Sequence, residues 1–162
     1  MKKYALTVVA VLLTSTVARS ADCGNTTMPE GATPLSRAEL TKLFAGKTWI
    51  WPDGGAYYGP GGKFLALSTG HKSVGKGTWS ISDDGKVCYD AMWNGPGGNN
   101  PYAQCWQNVK NKDGVFNASD KGDDQGKWSC SEAKKQGMFG KLKAGDKVTP
   151  MIAAFMKENN MK

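Results

Sequence analysis

The feature that most constrains the fold is a series of short segments, from Lys47 onward, in which apolar and polar residues tend to alternate. Alternation over about 4–8 residues is typical of half-buried β-strands. The segments are KTWIW, GKFLALS, GKGTWSIS, KVCYDAMW, AQCWQNVK and GVFNAS, with GKWS as a further candidate. Turn signals such as Pro60-Gly61 and Asp84-Gly85 separate them. The pattern predicts a mainly β protein, an antiparallel meander or small lipocalin-like barrel, because closure removes exposed strand edges.

A short helix is predicted just before the strands, in the segment LSRAELTKLFAG. Ser36 and Glu39 have the spacing of a capping box, and Leu35 can pack against Leu40 across the first turn. Gly46 supplies the stop signal. The apolar residues of this segment form one stripe, so we expect the helix to cover the sheet.

The N-terminal residues predict export. Two lysines, an apolar run and a small-residue site follow one another in residues 1–20, which is the order of a cleaved signal peptide. The apolar run is shorter than the ~20 residues that span a bilayer, so we do not expect a membrane-spanning protein. Asp22 stands where a lipoprotein signal requires a small residue. We therefore expect a periplasmic or secreted protein without a lipid anchor.

The chain that remains after cleavage has the size of one domain. Its last segment, residues 131–162, is rich in lysine and ends in a second predicted helix, MIAAFMKENN, with Thr149 as N-cap and Pro150 at its first position. The predicted organisation is a signal peptide (1–20), an N-terminal arm (21–34), a β-domain with a leading helix (35–130) and this lysine-rich segment (131–162).

The four cysteines predict disulfides, because their number is even and the chain is expected to be exported. Folding KVCYDAMW and AQCWQNVK about the midpoint of NGPGGNNP places Cys88 opposite Cys105. Cys23 and Cys130 then pair by default. No metal site or other cofactor is predicted, since His71 is the only histidine and the cysteine spacings are wide.

No catalytic residue is predicted. His71 is the only imidazole that could serve as a base, and it lies in a glycine-rich segment without a nucleophile motif. Asp53 and Asp90 are the best-placed carboxylates for glycoside cleavage, but Asp53 has the sequence context of an ordinary turn. The segment DKGDDQG lacks the ligand spacing of a calcium loop and is interpreted as a solvated acidic turn.

The aromatic and basic residues suggest where a ligand could bind. The six tryptophans fall about one per predicted strand, so we expect their rings to fill the interior of the barrel. Tyrosines beside turns are predicted to offer ring faces to a ligand, and lysines near the C-terminus to favour anionic groups. These residues are Tyr57, Tyr58, Tyr102, Lys134, Lys135, Lys141 and Lys143. Nucleic acid is not expected, because the lysines lie mostly outside the aromatic strands.

Three stretches, LFAGKTWIWPDGGAYYGPGGKFLAL, GKGTWSISDDGKVCYDAMW and QCWQNV, resemble a family of small exported alphaproteobacterial proteins known as domain of unknown function 995. The likeness extends from Leu43 to about Phe116 and leaves out Cys23 and Cys130. It implies an exported bacterial protein and supplies no catalytic residues. We therefore predict a non-catalytic envelope protein that binds an anionic glycan or another envelope component. The alternatives are an inhibitor or interaction protein that docks on another secreted protein, and a hydrolase.

Overall fold

The computed structural model describes residues 26–123, 125–131 and 139–159. Within them the chain forms two helices and one antiparallel sheet of ten strands, so the mainly β prediction is confirmed. The sheet order is β10-β2-β3-β4-β5-β6-β7-β8-β9, and β1 pairs with β7. The elements are β1 (Thr33–Pro34), α1 (Arg37–Phe44), β2 (Lys47–Trp51), β3 (Gly54–Tyr58), β4 (Lys63–Ser68), β5 (Ser73–Ile81), β6 (Lys86–Gly95), β7 (Gly98–Asn111), β8 (Gly114–Ser119), β9 (Trp128–Ser131), β10 (Leu142–Ala144) and α2 (Val148–Glu158).

The sheet is curled into half a barrel. Directly paired residues of antiparallel strands point to the same side, and Trp49 pairs with Ala56, which pairs with Ala66. Strands β2 and β7 are separated by four other strands in the sheet order. Their side chains nevertheless meet on this side, since the rings of Trp49 and Trp106 lie 5.7 Å apart. Only a strongly curved sheet allows that contact, so the side that carries these rings is the concave one.

The leading helix is capped as its sequence predicts. The hydroxyl of Ser36 accepts a hydrogen bond from the backbone N–H of Glu39, and the Glu39 carboxylate accepts one from the backbone N–H of Ser36. The same carboxylate forms an ion pair with Lys110 of β7. Gly46 follows the helix with a φ of 70°, a left-handed conformation that glycine adopts without strain. Local signals therefore set both ends of α1, and the ion pair fixes α1 to the sheet.

Helix α1 closes one end of the concave side. Leu40 and Phe44 are completely buried, and the Phe44 ring meets the ring of Tyr58 edge to face at 5.0 Å. Leu35, just before the helix, belongs to the same buried cluster as Leu40, as the predicted contact across the first turn requires. Burying aliphatic and aromatic side chains in this way stabilises by ~25 cal/mol per Å² of apolar surface. The concave side thus has a dry, well-packed end.

Helix α2 covers part of the convex side. Val148 and Phe155 of the helix are buried against Leu67 of β4. The helix begins at Val148, so the prediction that Thr149 is its N-cap is wrong. The backbone N–H groups of Val148 and Thr149 donate instead to the carboxylate of Asp146, at 2.8 Å and 3.0 Å. A second buried cluster on the convex side contains Val109, Phe116, Ala118 and Trp128.

The predicted hairpin and its disulfide are confirmed. Cys88 of β6 lies directly opposite Cys105 of β7, and the two sulfur atoms are bonded. The bridge lies on the convex side, because its neighbours Val87 and Trp106 pair on the concave side. The backbone of Cys130 pairs with β8. Cys23 and residues 1–20 lie outside the described residues. The Cys23–Cys130 disulfide and the signal peptide therefore remain predictions.

Three strands were absent from the prediction, and the shortest of them is β1, which pairs with β7. Strand β3 has the sequence GGAYY, and its two glycines look like part of a turn. It nevertheless lies between β2 and β4, where a Cβ on Gly54 would come within 1.9 Å of the Leu67 carbonyl oxygen. The third is β10, which pairs with β2 inside the lysine-rich segment. None of the described helices has the length and apolar character needed to cross a bilayer.

Candidate binding site

The concave side of the half-barrel contains a cleft of about 410 Å³. That volume is within the range of small-molecule sites, ~300–1,000 Å³. Half of its lining residues are aromatic, and the others are either small or polar. The lining residues are Trp49, Trp51, Ala56, Tyr58, Phe64, Ala66, Tyr89, Trp93, Gln104, Trp106, Ser119, Lys121, Gly122 and Asp123.

Two of the indoles lie flat over glycines of neighbouring strands. Trp51 of β2 is paired with Gly54 of β3, and Trp93 of β6 is paired with Gly75 of β5. A Cβ added to Gly54 would come within 2.9 Å of the Trp51 ring, and one added to Gly75 within 2.8 Å of the Trp93 ring. Each ring therefore occupies the space that a side chain on its partner would fill. We call Trp51 and Trp93 the flat indoles.

The remaining rings pack against one another along the cleft. Trp49 lies 5.0 Å from Trp51 and 5.7 Å from Trp106, measured between ring centroids. Tyr89 stacks on Phe64 at 4.3 Å and lies 5.7 Å from Trp106. These contacts hold the rings in fixed positions, so the cleft is largely preformed.

Three hydrogen-bond donors on cleft-lining residues are buried without a partner among the described residues. They are the indole nitrogens Nε1 of Trp49 and Trp93 and the hydroxyl of Tyr58. Burial raises the pKa of the Tyr58 hydroxyl, which therefore keeps its proton. A buried donor without an acceptor costs ~1–3 kcal/mol, and such groups are rare in native proteins. All three have a free hydrogen-bonding valence, but the surrounding rings close them off from solvent in this arrangement.

A connected polar cluster, which we call the polar rim, borders the aromatic walls. Gln104 donates from Nε2 to the Ser119 hydroxyl at 2.6 Å, and its Oε1 accepts from the Tyr89 hydroxyl at 3.4 Å. Burial raises the pKa of Tyr89, so this hydroxyl also stays protonated. The ammonium group of Lys121 donates to the Ala103 carbonyl oxygen at 2.6 Å and lies 5.3 Å from the centre of the Tyr102 ring. These bonds hold the polar rim in place.

The tyrosines that were predicted to bind a ligand do not form one site. Tyr57 and Tyr58 are neighbours in β3, so their side chains point to opposite sides of the sheet. Tyr57 packs in the convex cluster under α2. Tyr58 lines the cleft, but its side chain is completely buried, so the expectation of an exposed ring is wrong for it. Tyr102 is 40% exposed and lies beside Lys121 at the polar rim.

The predicted basic residues lie away from the cleft where they can be located. Lys141 is exposed in the turn before β10, and Lys143 is exposed in β10, where it pairs with Thr48. Neither residue lines the cleft. Lys134 and Lys135 lie outside the described residues. Lys121, which the sequence interpretation placed in a solvated acidic turn, is the lysine that the structure brings to the cleft.

The tryptophans only partly fill a core. Trp106 and Trp128 are buried, but Trp128 lies on the convex side, opposite the cleft. Trp49 and the flat indoles are half-buried and line the cleft. The prediction that all six rings fill the barrel interior is therefore wrong, because an incompletely closed sheet leaves ring surface open on its concave side. Trp49 and Trp51 are two residues apart in β2 and point to the same side, with their ring centroids 5.0 Å apart.

The candidate catalytic groups are also dispersed. Asp53 lies in the turn between β2 and β3, where its carboxylate is 3.4 Å from the Ser68 hydroxyl. Asp90 pairs with Thr78 and Ala103 on the convex side. Neither lines the cleft, where Asp123 is the acidic residue. In the described part of the chain, no three histidine, cysteine or acidic side chains are grouped as a metal site would require.

Residues 8–148 match the model of a family described as a protein of unknown function (DUF995). No curated protein and no solved structure matches the chain.

Proposed function

Because the chain belongs to the DUF995 family, whose description gives no activity, we propose from the geometry that it is a non-catalytic, exported protein of the cell envelope. In this proposal its concave cleft holds a glycan or another small envelope component. The predicted signal peptide supports export. The binding role is supported by the cleft itself.

The observation that carries the proposal is the aromatic lining of a preformed cleft. Half-buried indoles that are fixed by neighbouring rings give large contact area at a low entropic cost when a ligand binds. Apolar walls with a few placed polar groups are the usual composition of ligand sites. Here the polar groups are the unpaired donors and the polar rim. On the convex side, by contrast, the two clusters of apolar side chains are buried.

The test compares two neighbouring residues of β6 that point to opposite sides. Trp93 lines the cleft, whereas Met92 is 42% exposed on the convex side. The purified protein, its Trp93→Ala variant and its Met92→Ala variant are each immobilised and incubated with glycan fragments released from native envelope. Mass spectrometry then identifies the material retained. We expect the parent protein and Met92→Ala to retain the same glycan, and Trp93→Ala to retain at least tenfold less.

Other results would contradict the proposal. Retention that is the same for Trp93→Ala and for the parent protein would exclude the cleft as the binding site. A secreted protein captured in stoichiometric complex by all three forms would support the inhibitor or interaction protein instead. Chemical change of the fragments by the parent protein alone would support a hydrolase.

A further inference from the structure

We infer that the ligand of the cleft is an uncharged sugar, which stacks on the flat indoles and brings acceptor oxygens to the unpaired donors. This inference rests on the proposed function and specifies its ligand. It differs from the sequence-based expectation of an anionic glycan, which depended on lysines that lie outside the cleft or outside the described residues.

The first argument is the charge of the lining. The charged side chains at the cleft are Lys121 and Asp123, one of each sign, so their formal charges cancel. Lys121 already donates to the Ala103 carbonyl oxygen and lies against the Tyr102 ring. The rest of the lining is aromatic or uncharged. An anionic ligand would lose its hydration there while the negative charge of Asp123 offsets the attraction of Lys121, so the cleft disfavours it.

The second argument is the orientation of the flat indoles. Each lies across a glycine of the neighbouring strand, at 2.8–2.9 Å from the place where a Cβ would be, so one face covers backbone. Both side chains line the cleft and are only half-buried, so part of each ring is open to a ligand. An aromatic face is electron-rich, and it attracts the weakly positive C–H groups on the flat side of a sugar ring. Two such faces within one cleft suit a ligand made of rings.

The third argument is the set of unpaired donors. The nitrogens of Trp49 and Trp93 and the hydroxyl of Tyr58 can each donate, and all three are buried. A hydrocarbon chain could fill the apolar cleft, but it would leave these donors unpaired. Sugar hydroxyl and ring oxygens accept hydrogen bonds around the edge of an otherwise apolar ring. A ligand can reach these donors only if its binding shifts the rings that enclose them, and a sugar would then satisfy the donors better than a lipid would.

The experiment compares sugar probes with and without charge and one lipid-like probe. Isothermal titration is carried out with a neutral N-acetylglucosamine disaccharide, with a galacturonate disaccharide, with the methyl ester of that galacturonate disaccharide, and with dodecanol. We expect the neutral disaccharide to bind. We also expect the methyl ester to bind at least tenfold more tightly than the free acid, because esterification removes the negative charge and adds only a methyl group to each carboxylate.

Variants of the protein test the stacking. Gly75→Ala keeps every indole but forces the Trp93 ring to move, since the added Cβ would lie 2.8 Å from it. We expect Gly75→Ala and Trp93→Ala each to weaken sugar binding tenfold or more, and Met92→Ala to leave it unchanged. Circular dichroism and the urea midpoint check that each variant is folded. Trp93→Phe, which keeps a flat ring and removes the donor, should weaken binding less than Trp93→Ala.

The outcomes separate the inference from the proposed function. Tighter binding of the free acid than of its methyl ester, lost in Trp93→Ala, would overturn the neutral-sugar inference while leaving a binding cleft. The inference would also be overturned if no sugar bound while dodecanol bound to the parent protein and not to Trp93→Ala. If neither these probes nor envelope glycans respond to Trp93→Ala, both the inference and the proposed function fail.

Discussion

The two faces of the sheet differ in how their apolar side chains are covered. On the convex face, α2 covers one cluster and leaves Phe155 only 7% exposed, and a second cluster buries Trp128 to 8% exposure. On the concave face, α1 closes one end and leaves Trp93 half-buried. Trp93 and Trp128 are both strand tryptophans. The comparison teaches that the covering element, rather than the residue type, decides whether an aromatic side chain is core or binding surface.

The largest effect is expected where the convex face is covered. Phe155→Ala should lower the free energy of unfolding by ~3–5 kcal/mol, because it removes a buried ring and leaves a cavity between α2 and the sheet. Trp93→Ala should cost less, since that side chain is only half-buried. Urea unfolding of both variants measures the difference. If both variants lose the same free energy of unfolding, Trp93 belongs to the core as much as Phe155 does, and the contrast between the two faces fails.

The disulfide gives the next largest effect. Replacing both Cys88 and Cys105 with alanine should lower the free energy of unfolding by ~3 kcal/mol, because the unfolded chain gains the entropy of an open loop. The bridge lies on the convex side, so ligand binding in the cleft should persist under conditions in which the variant is folded. Urea unfolding and titration measure the two quantities. A loss of binding in the folded variant would mean that the bridge positions the cleft rings.

A smaller effect is expected at Thr48, which is completely buried on the convex side. Its hydroxyl donates to the Gly145 carbonyl oxygen at 2.7 Å and accepts from the Lys147 backbone N–H at 3.0 Å. Thr48→Val should cost ~1–3 kcal/mol, because both backbone groups lose their partner. Thr48→Ser keeps the hydroxyl and is the matched control. A Thr48→Val variant that is no less stable than Thr48→Ser would contradict the prediction, because only the Val variant loses the hydroxyl.

The smallest effect concerns α1, the cover of the concave face. The hydrogen bonds from Lys110 and Ser36 hold the pKa of Glu39 at about 2, below its usual range. A lowered pKa stabilises the folded state above the unfolded pKa of ~4.3, and this contribution is lost as the pH falls toward 2. Glu39→Gln should therefore lower the melting temperature at pH 6 and leave it almost unchanged near pH 2. Melting curves across this range test the prediction, and a pH-independent difference would contradict it.

Structural features that depend on residues close together in the chain were predicted well from the sequence. The capping box of Ser36 and Glu39 and the pairing of Cys88 with Cys105 depend on neighbours in the chain or across one hairpin, and the structure confirms both. The prediction that Thr149 caps α2 was wrong, because the carboxylate of Asp146, three residues earlier, is a stronger acceptor for the backbone N–H groups of the first turn. A carboxylate accepts two backbone hydrogen bonds there, which one hydroxyl could not do equally well.

The candidate site depends on longer distances and was mostly missed. Alternation shows that Tyr57 and Tyr58 point to opposite sides, and this alone separates them. It does not show how far the sheet curls, so the contact between Trp49 and Trp106 could not be predicted. Gly54 also looked like turn chemistry, although its lack of a side chain makes room for an indole. The same period-two rule that links Tyr102 with Trp106 could have identified Gln104 as a neighbour in the site.

The pairing of β10 with β2 has a consequence for how the chain acquires its structure. These two strands are neighbours in the sheet but far apart in the chain. The Thr48 hydroxyl donates to the carbonyl oxygen of a residue 97 positions later. Contacts between such distant positions slow folding, because a long loop must close before they form. Strand β2 can pair with β3 at once, but its other edge stays without a partner until residues 142–144 have been synthesised. Until then the open edge of β2 could pair with a strand of another molecule, and in the finished protein β10 prevents this.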